Sequence, residues 1–239
     1  MRSANRQADQ LRDVTIKTHC NPYAEGSCLV MFGNTHVICT ASVDEGVPPF
    51  LRGSGTGWIT AEYGMIPRST HTRKRRTSSS GQSDGRTHEI QRFIGRALRS
   101  TIDLAKLGER QIIIDCDVVQ ADGGTRTAAI TGSYVSLVVA VNKLLKNRVI
   151  KKDPLLHHIA AVSCGILNGN VIVDLDYSED SKADVDANFV MTESGHLIEV
   201  QSTAEISPFT TEQLTKMLEL SRNSISQLIE IQKKALSDL

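Results

Sequence analysis

Aromatic side chains are scarce. Phe, Tyr and Trp make up 4% of 239 residues, with a single Trp. A surface that stacks bases on rings has little to draw on. Cysteine supplies no framework either. Cys20, Cys28, Cys39, Cys116 and Cys164 are odd in number and contain no C-x-x-C pair. That excludes a fully paired disulfide frame and a zinc site built on C-x-x-C, and predicts reduced, mostly buried thiols in a cytoplasmic protein. No apolar run approaches the roughly 18 residues of a membrane span. Nor does an apolar stretch follow Met1-Arg2-Ser3-Ala4-Asn5-Arg6. Neither a membrane partner nor a signal peptide is expected. The chain lacks G-x-x-x-x-G-K-[ST], which excludes a P-loop. Gly53-Ser54-Gly55-Thr56-Gly57 precedes a predicted strand rather than opening a helix, so it is no dinucleotide fingerprint.

Net charge is also absent, with 27 basic and 27 acidic side chains. The zero hides a separation. Arg68, Arg73, Lys74, Arg75, Arg76, Arg86, Arg92, Arg96 and Arg99 face only Asp84 and Glu89 in the same stretch. Asp174, Asp176, Glu179, Asp180, Asp184 and Asp186 are accompanied by one Lys182. Such a pair of regions suits a polyanion and a cation handled side by side; two solvated surface patches satisfy the same pattern.

Hydrophobic periodicity outlines the elements. "SCLVMF" and "THVICTASV" read as strands joined at Gly33-Asn34, and "GWITAEYGM" as another. "THTRKRRTSSSGQSDG" is a mobile polar loop. A helix is predicted from about Arg86, with Ile90, Phe93, Ile94, Ala97, Leu98 and Ile102 on one stripe and Ser83 or Asp84 as its cap. "QIIIDCDVV" reads as a strand with a buried first half. The segment after Gly124 reads as a helix apolar almost all round. Two hairpins follow, turning at Asn168-Gly169 and Ser194-Gly195, then an amphipathic helix from about Thr210. Antiparallel hairpins alternating with crossovers predict an α+β or mixed-sheet α/β fold. With no convincing linker and no short-period repeat, residues 1–239 read as one domain of two similar layers.

Three groups of residues carry chemistry. Gly123-Gly124-Thr125-Arg126 lies where a predicted strand hands over to a helix. Two glycines allow close backbone approach, a helix start presents unpaired N–H groups, and Thr125 and Arg126 add a hydroxyl and a planar fork. That combination suits an anion; a turn with Thr125 as N-cap and an exposed Arg126 is the plain alternative. Arg86, at the start of the preceding helix, is able to reach the same pocket or remain on the surface. The loop from Arg68 to Arg76 suits nucleic-acid backbone held by charge. In "DLDYSEDSKADVDANFV", Asp184 and Asp186 alternate on one strand face, with Asp180 in the preceding turn. Carboxylates without His or Cys suit Mg²⁺ or Mn²⁺, and a charged edge strand is the alternative.

Taken together, "EGSCLVMFGNTHVICTASVDEGVP", "GWITAEYGMIPRSTHTR", "GRTHEIQRFIGRALRS", "DCDVVQADGGTRTAAITG", "DLDYSEDSKADVDANFVMT" and "EVQSTAE" in this order resemble the bacterial ribonuclease PH family, from about Asp9 to the last helix. The resemblance implies that family's fold of two packed β/α layers with three main helices. It implies a phosphate-dependent 3′–5′ exoribonuclease, a reversible nucleotidyltransferase that trims transfer RNA precursors and releases nucleoside diphosphates. Processing of ribosomal RNA and other structured RNA 3′ ends and a homo-hexameric trimer of dimers go with it. Inorganic phosphate would be co-substrate, bound by Arg86, Gly124, Thr125 and Arg126. Asp180 and Asp186 would be the catalytic, metal-holding carboxylates, with Asp184 close by, and Arg68, Arg73 and Arg76 would grip RNA. One departure stands out. Where the family begins R-P-D-G-R, this chain has Arg2-Ser3-Ala4-Asn5-Arg6. The resemblance therefore does not carry the family's N-terminal packing or an assembly contact there over to this chain, while the phosphate site is untouched by the departure.

Overall fold

The structure is a computed structural model that describes residues 2, 5–75 and 85–237. Five strands form the first sheet: β1 (Val14–Thr18), β2 (Gly26–Phe32), β3 (Thr35–Glu45), β4 (Trp58–Met65) and β5 (Arg110–Gln120), in the order β1-β2-β3-β5-β4. Only β4 and β5 run parallel. A parallel pair needs a crossover, and helix α1 (Gly85–Arg99) with the short α2 (Leu104–Leu107) lies in that connection. Helix α3 (Thr125–Lys146) leads to the second sheet: β6 (Ile159–Leu167), β7 (Asn170–Val173), β8 (Val185–Thr192) and β9 (Leu197–Ala204). Its order is β7-β6-β8-β9, all antiparallel. The one-turn α4 (Tyr177–Asp180) precedes β8, and α5 (Thr211–Leu236) ends the chain. The mixed α/β fold with three main helices is therefore as the sequence predicts, with the mixed character confined to one strand pair.

α3 organises the core. It packs across β2, β3 and β5 on one side and β6 on the other. Sixteen of its residues, from Thr127 to Leu144, are buried, so it is enclosed on all sides. By length and composition α3 would also cross a membrane, which corrects the reading that no apolar run approaches that length; 83% of its most apolar window is buried inside the protein. Its close approach to the first sheet depends on Gly132. A Cβ there would meet Val30 Cγ1 at 2.6 Å and Cys39 Sγ at 2.9 Å. α5 covers β6 and β7 and reaches β1, burying Met217, Ile225, Leu228 and Ile229. Thr210 caps it, accepting from Gln213 N–H while Gln213 reaches back. Cys28, Cys39, Cys116 and Cys164 are buried free thiols; Cys20 is exposed.

Two further expectations change. β5 does not bury its whole first half. Ile112, Ile114, Cys116 and Val118 are buried and the residues between them are not. A strand covered on a single face alternates in this way. Ile102 is buried but lies beyond the end of α1, pairing with Leu155 in an isolated bridge. Ser83 and Asp84, named as caps of α1, lie outside the described residues.

Candidate active site

α3 begins without a side-chain cap. Its N-cap is Gly124, in left-handed conformation at φ 64° and ψ 26°. Thr125 is thus the first helical residue and not the cap. Thr127 Oγ1 donates back to the Gly124 carbonyl at 2.9 Å, so it does not serve the free N–H groups. Those orphan donors and the positive end of the longest buried helix open into a cleft of about 570 Å³. Arg86, Gly123, Gly124, Thr125 and Arg126 line it, together with Asp180 and Asp186. Elements from both sheets thereby bring the two charge types to one place.

The side chains come from two helices and are steered by others. Arg86 stands in the first turn of α1. Arg126 Nη1 donates to Gln201 Oε1 on β9 at 2.9 Å and lies 3.4 Å from Glu89 Oε1 on α1. Thr125 Oγ1 and Tyr63 Oη share a hydrogen bond of 2.8 Å. Burial raises the Tyr63 phenol, against the lowering effect of that bond and of Arg86 and Arg126. Tyr63 therefore stays neutral at physiological pH.

The carboxylates are less comfortable. Burial raises Asp180, offset in part by Arg86 and Arg126, while Glu205 adds repulsion. Asp186 is pushed up to about 6, first by burial and then by Asp180. Two carboxylates raised by burial in one cleft, one of them further raised by the other, call for a proton or a cation. Among the described residues they are the only carboxylates lining the cleft, which Asn188 also lines. An all-oxygen donor set of this kind fits a hard cation that keeps water or substrate ligands. No group of three or more His, Cys, Asp or Glu arranged for a metal occurs among the described residues, so substrate or water oxygens would have to complete the shell. Asp184 does not line the cleft. β8 starts only at Val185, and Asp184 uses its backbone to bond Ile166, Glu205 and Ile206.

The acidic stretch is divided. Asp174, Asp176 and Glu179 face away from the cleft, toward the N-terminal arm. Arg2 pairs with Glu179 at 2.8 Å, and Arg6 with Glu179 at 3.0 Å and Asp176 at 3.5 Å. Arg12 pairs with Asp174 at 2.6 Å. Both arginines of the altered N-terminal run are thus held by carboxylates of this stretch, Arg6 buried and Arg2 partly so; Ser3 and Ala4 lie outside the described residues. The double glycine also has a second purpose. A Cβ on Gly123 would lie 2.5 Å from the Leu175 carbonyl oxygen and 2.8 Å from Tyr177 N. What approaches Gly123 so closely is the protein's own backbone, not only a ligand.

The basic loop divides as well. Arg68 is exposed and lines a neighbouring hollow with Asn34, His71 and Asp122, its Nη1 donating to the His71 carbonyl at 3.2 Å. Arg73 is exposed and lines neither hollow. Arg76 lies outside the described residues. Lys74, His71 and Thr72 reach the cleft itself, as do Ser163, Tyr177 and Asn188. Sequence reasoning named none of these as site residues. Lys74 was visible as part of the basic run, but nothing in its spacing separated it from Arg73.

Comparison with known proteins identifies the family. Models of the 3′ exoribonuclease family match residues 10–141 as its domain 1 and residues 157–224 as its domain 2. The chain belongs to this ribonuclease PH family. A protein of Neisseria meningitidis named ribonuclease PH is 56% identical over 233 residues, covering 98% of this chain and 96% of the relative. Among solved structures, rice (Oryza sativa) Rrp46 superposes with a TM-score of 0.79 at 20% identity, covering 98% of this chain and 100% of the other. A chain of the Archaeoglobus fulgidus exosome with RNA bound to the active site gives 0.78 at 21% identity, covering 94% and 90%. At such identities the structural likeness speaks for the fold. Membership of the ribonuclease PH family makes this chain a phosphorolytic 3′–5′ exoribonuclease.

Proposed function

We propose that this chain, acting as a single domain over residues 1–239 in the cytoplasm, shortens transfer RNA precursors and other structured RNA 3′ ends with inorganic phosphate. Its natural assembly in this reading is a homo-hexamer, a trimer of dimers. The observation that carries the proposal is the joining of Arg86, Arg126 and the uncapped start of α3 with Asp180 and Asp186 in one cleft.

The cleft's residues suggest a division of labour. Arg86, Arg126 and the N–H groups after Gly124 bind phosphate and offset its repulsion from the RNA phosphodiester. A phosphate oxygen forms a bond to the last internucleotide phosphorus, and the bond from that phosphorus to the 3′ oxygen of the preceding nucleotide breaks. The terminal nucleotide leaves as nucleoside 5′-diphosphate, and the shortened RNA keeps its 3′ hydroxyl after taking up one proton. An anhydride replaces an ester, so excess diphosphate reverses the reaction. Asp180 and Asp186 would hold Mg²⁺ or Mn²⁺, which supplies charge stabilisation at the reacting phosphates. Asp186 as proton donor to the 3′ oxygen is the second reading, favoured by its raised pKa of about 6. Tyr63 positions Thr125 through their shared hydrogen bond. Most of the acceleration comes from positioning and charge, where one well-aimed group contributes about 3 kcal/mol. Arg68 and Arg73 would hold the RNA backbone outside the cleft, and Arg76 is assigned to the same RNA grip from the basic run alone.

The test is a 3′-extended transfer RNA incubated with the protein, with and without phosphate. Phosphate-dependent release of nucleoside 5′-diphosphate is expected. Monophosphate released without phosphate would make the protein a hydrolase and overturn the reading.

A further inference from the structure

The two chemistries of the cleft are carried by segments far apart in sequence. The anion side hangs on the turn of Asp122, Gly123 and Gly124 ahead of α3. On the carboxylate side, residues 174–180 lead through α4 to Asp180, and the chain goes on to Asp186 at the start of β8. A third segment touches both. Arg12, just before β1, is 9% exposed. Its Nε and Nη2 donate to Asp174 Oδ2 and Oδ1 at 3.1 and 2.6 Å, and its backbone N–H donates to Asp174 Oδ2 at 2.7 Å. The other edge of the same guanidinium turns the opposite way. Nη1 donates to the Asp122 carbonyl at 2.5 Å, and Nη2 reaches the Gly123 carbonyl at 3.5 Å.

Neighbouring contacts reinforce this junction. Thr35 Oγ1 accepts from Asp122 N–H at 2.9 Å and donates to the Gly123 carbonyl at 2.7 Å, with Arg12 Nη1 3.4 Å away. Asp122 Oδ1 accepts from Tyr177 N–H at 3.3 Å, at the start of α4. Asp174 itself has φ 51°, a conformation that a side-chain-bearing residue adopts at a cost. Its paired hydrogen bonds to Arg12 hold it there.

We infer that Arg12 is a positioning residue that fixes the distance between the anion site and the carboxylates Asp180 and Asp186. A planar fork with five donors satisfies a carboxylate on one edge and two carbonyls on the other; an ammonium group has no such geometry. Arg12 does not line the cleft, so it acts through the turn and through Asp174. Displacement of a reacting group by about 1 Å costs on the order of a hundredfold in rate, and this junction is where such a displacement would originate. The inference rests on the phosphorolytic reading above.

The experiment compares wild type, Arg12→Lys and Thr35→Val in phosphate-dependent degradation of a 3′-extended transfer RNA. Inorganic phosphate affinity is measured separately by calorimetry, and folding by circular dichroism. Arg12→Lys is expected to lower kcat by about tenfold or more while the phosphate Kd stays within about threefold. Thr35→Val, a near-isosteric change that removes one hub of the junction, is expected to lower kcat by about threefold or more with the same unchanged Kd. It decides the matter if Arg12→Lys fails to fold. Unchanged kcat in the folded variants, even with a lower melting temperature, would reduce Arg12 to a stabilising ion pair and overturn the inference. A phosphate Kd that weakens in step with kcat would overturn it too, by making Arg12 part of the anion site. A wild type without phosphate-dependent activity would instead overturn the functional reading on which the inference stands.

Discussion

Gln201 Oε1 accepts a 2.9 Å hydrogen bond from Arg126 Nη1, and Gln201 Nε2 donates to Glu89 Oε1 at 3.3 Å. The guanidinium at the start of α3 is therefore steered by a strand of the second sheet and a carboxylate of α1. An anion entering the cleft meets a preset fork, but one shared with Glu89. Arg126→Ala is expected to raise the KM for phosphate by roughly 10- to 100-fold, the loss of a charge-assisted hydrogen bond. Glu89→Gln removes the competing charge and should lower that KM by up to about threefold, because Glu89 is half exposed and its pull is screened. Initial rates against phosphate concentration check both. Unchanged phosphate kinetics in Arg126→Ala would mean that the cleft does not bind phosphate there.

Asp186 should be a stability cost that function maintains. Its folded pKa of about 6 lies above the unfolded value of about 3.9. The sign follows from linkage. The folded state binds the proton more tightly, so the favourable contribution is full below the unfolded pKa and is lost as pH rises through about 6. Above that, the charged group opposes folding. Asp186→Asn should raise the melting temperature at pH 8 by a few degrees, at about 2–4 °C per kcal/mol, with the gain shrinking toward pH 4. Turnover should be lost. Adding Mn²⁺ should stabilise the wild type and not the variant. Scanning calorimetry at pH 8 and pH 4, with chelator and with metal, checks the stability changes, and the degradation assay checks the turnover.

Gly123→Ala forces a Cβ against the backbone of residues 175–177 at 2.5–2.8 Å and demands φ 75° from alanine. The expected result is a folded but destabilised protein whose kcat drops by about tenfold or more. Gly195→Ala, at φ 79° in the β8–β9 turn, should destabilise without that loss of kcat. Equal effects of the two on kcat would remove any special status from Gly123.

The loop and the cleft should separate in their effects on RNA. Arg68→Ala with Arg73→Ala should weaken RNA binding and flatten its salt dependence by about 0.7 per lost contact on a single strand, leaving phosphate affinity unchanged. Lys74→Ala should lower both, since Lys74 lines the cleft. RNA titrations at several salt concentrations beside phosphate calorimetry make the comparison. An unchanged slope in the Arg68 and Arg73 double variant would leave those side chains as a solvated face.

His158 packs its ring 5.4 Å from Tyr134, and its Nδ1 is buried without a hydrogen-bond partner among the described residues. Burial lowers its pKa, opposed by Glu193 and Glu230 and assisted by Lys233. The folded state thus resists the proton. Stability from this group is full above the unfolded pKa of about 6.5 and is lost as pH falls through the lower folded value. His158→Phe should flatten the decline of the melting temperature between pH 7 and pH 5 relative to wild type. Parallel curves for the two proteins would show that His158 does not contribute.

Much of the molecule is legible in its sequence. The turn at Gly33-Asn34 and the alternation on either side of it specify β2 and β3, because strand pairing there is local. The stripe of Ile90, Phe93, Ile94, Ala97 and Leu98 specifies α1 for the same reason: a helix face is a property of spacing. Gly123, Gly124, Thr125 and Arg126 are legible as one group because they adjoin in sequence; that Arg86 joins them depends on how α1 packs. What the tertiary structure alone decided is direction. Glu179 and Asp180 are neighbours in a one-turn helix, about 100° apart around its axis. One is buried against Arg2 and Arg6, the other opens into the cleft beside Asp186. Nothing in "SEDSKADVD" distinguishes them, since the choice is made by an arm more than 160 residues away. Gly123 likewise carries no mark of its contact with Leu175. Local pattern determines which elements form; which carboxylate meets which charge depends on long-range packing, because burial and pairing energies belong to the neighbours a side chain acquires and not to its place in the chain.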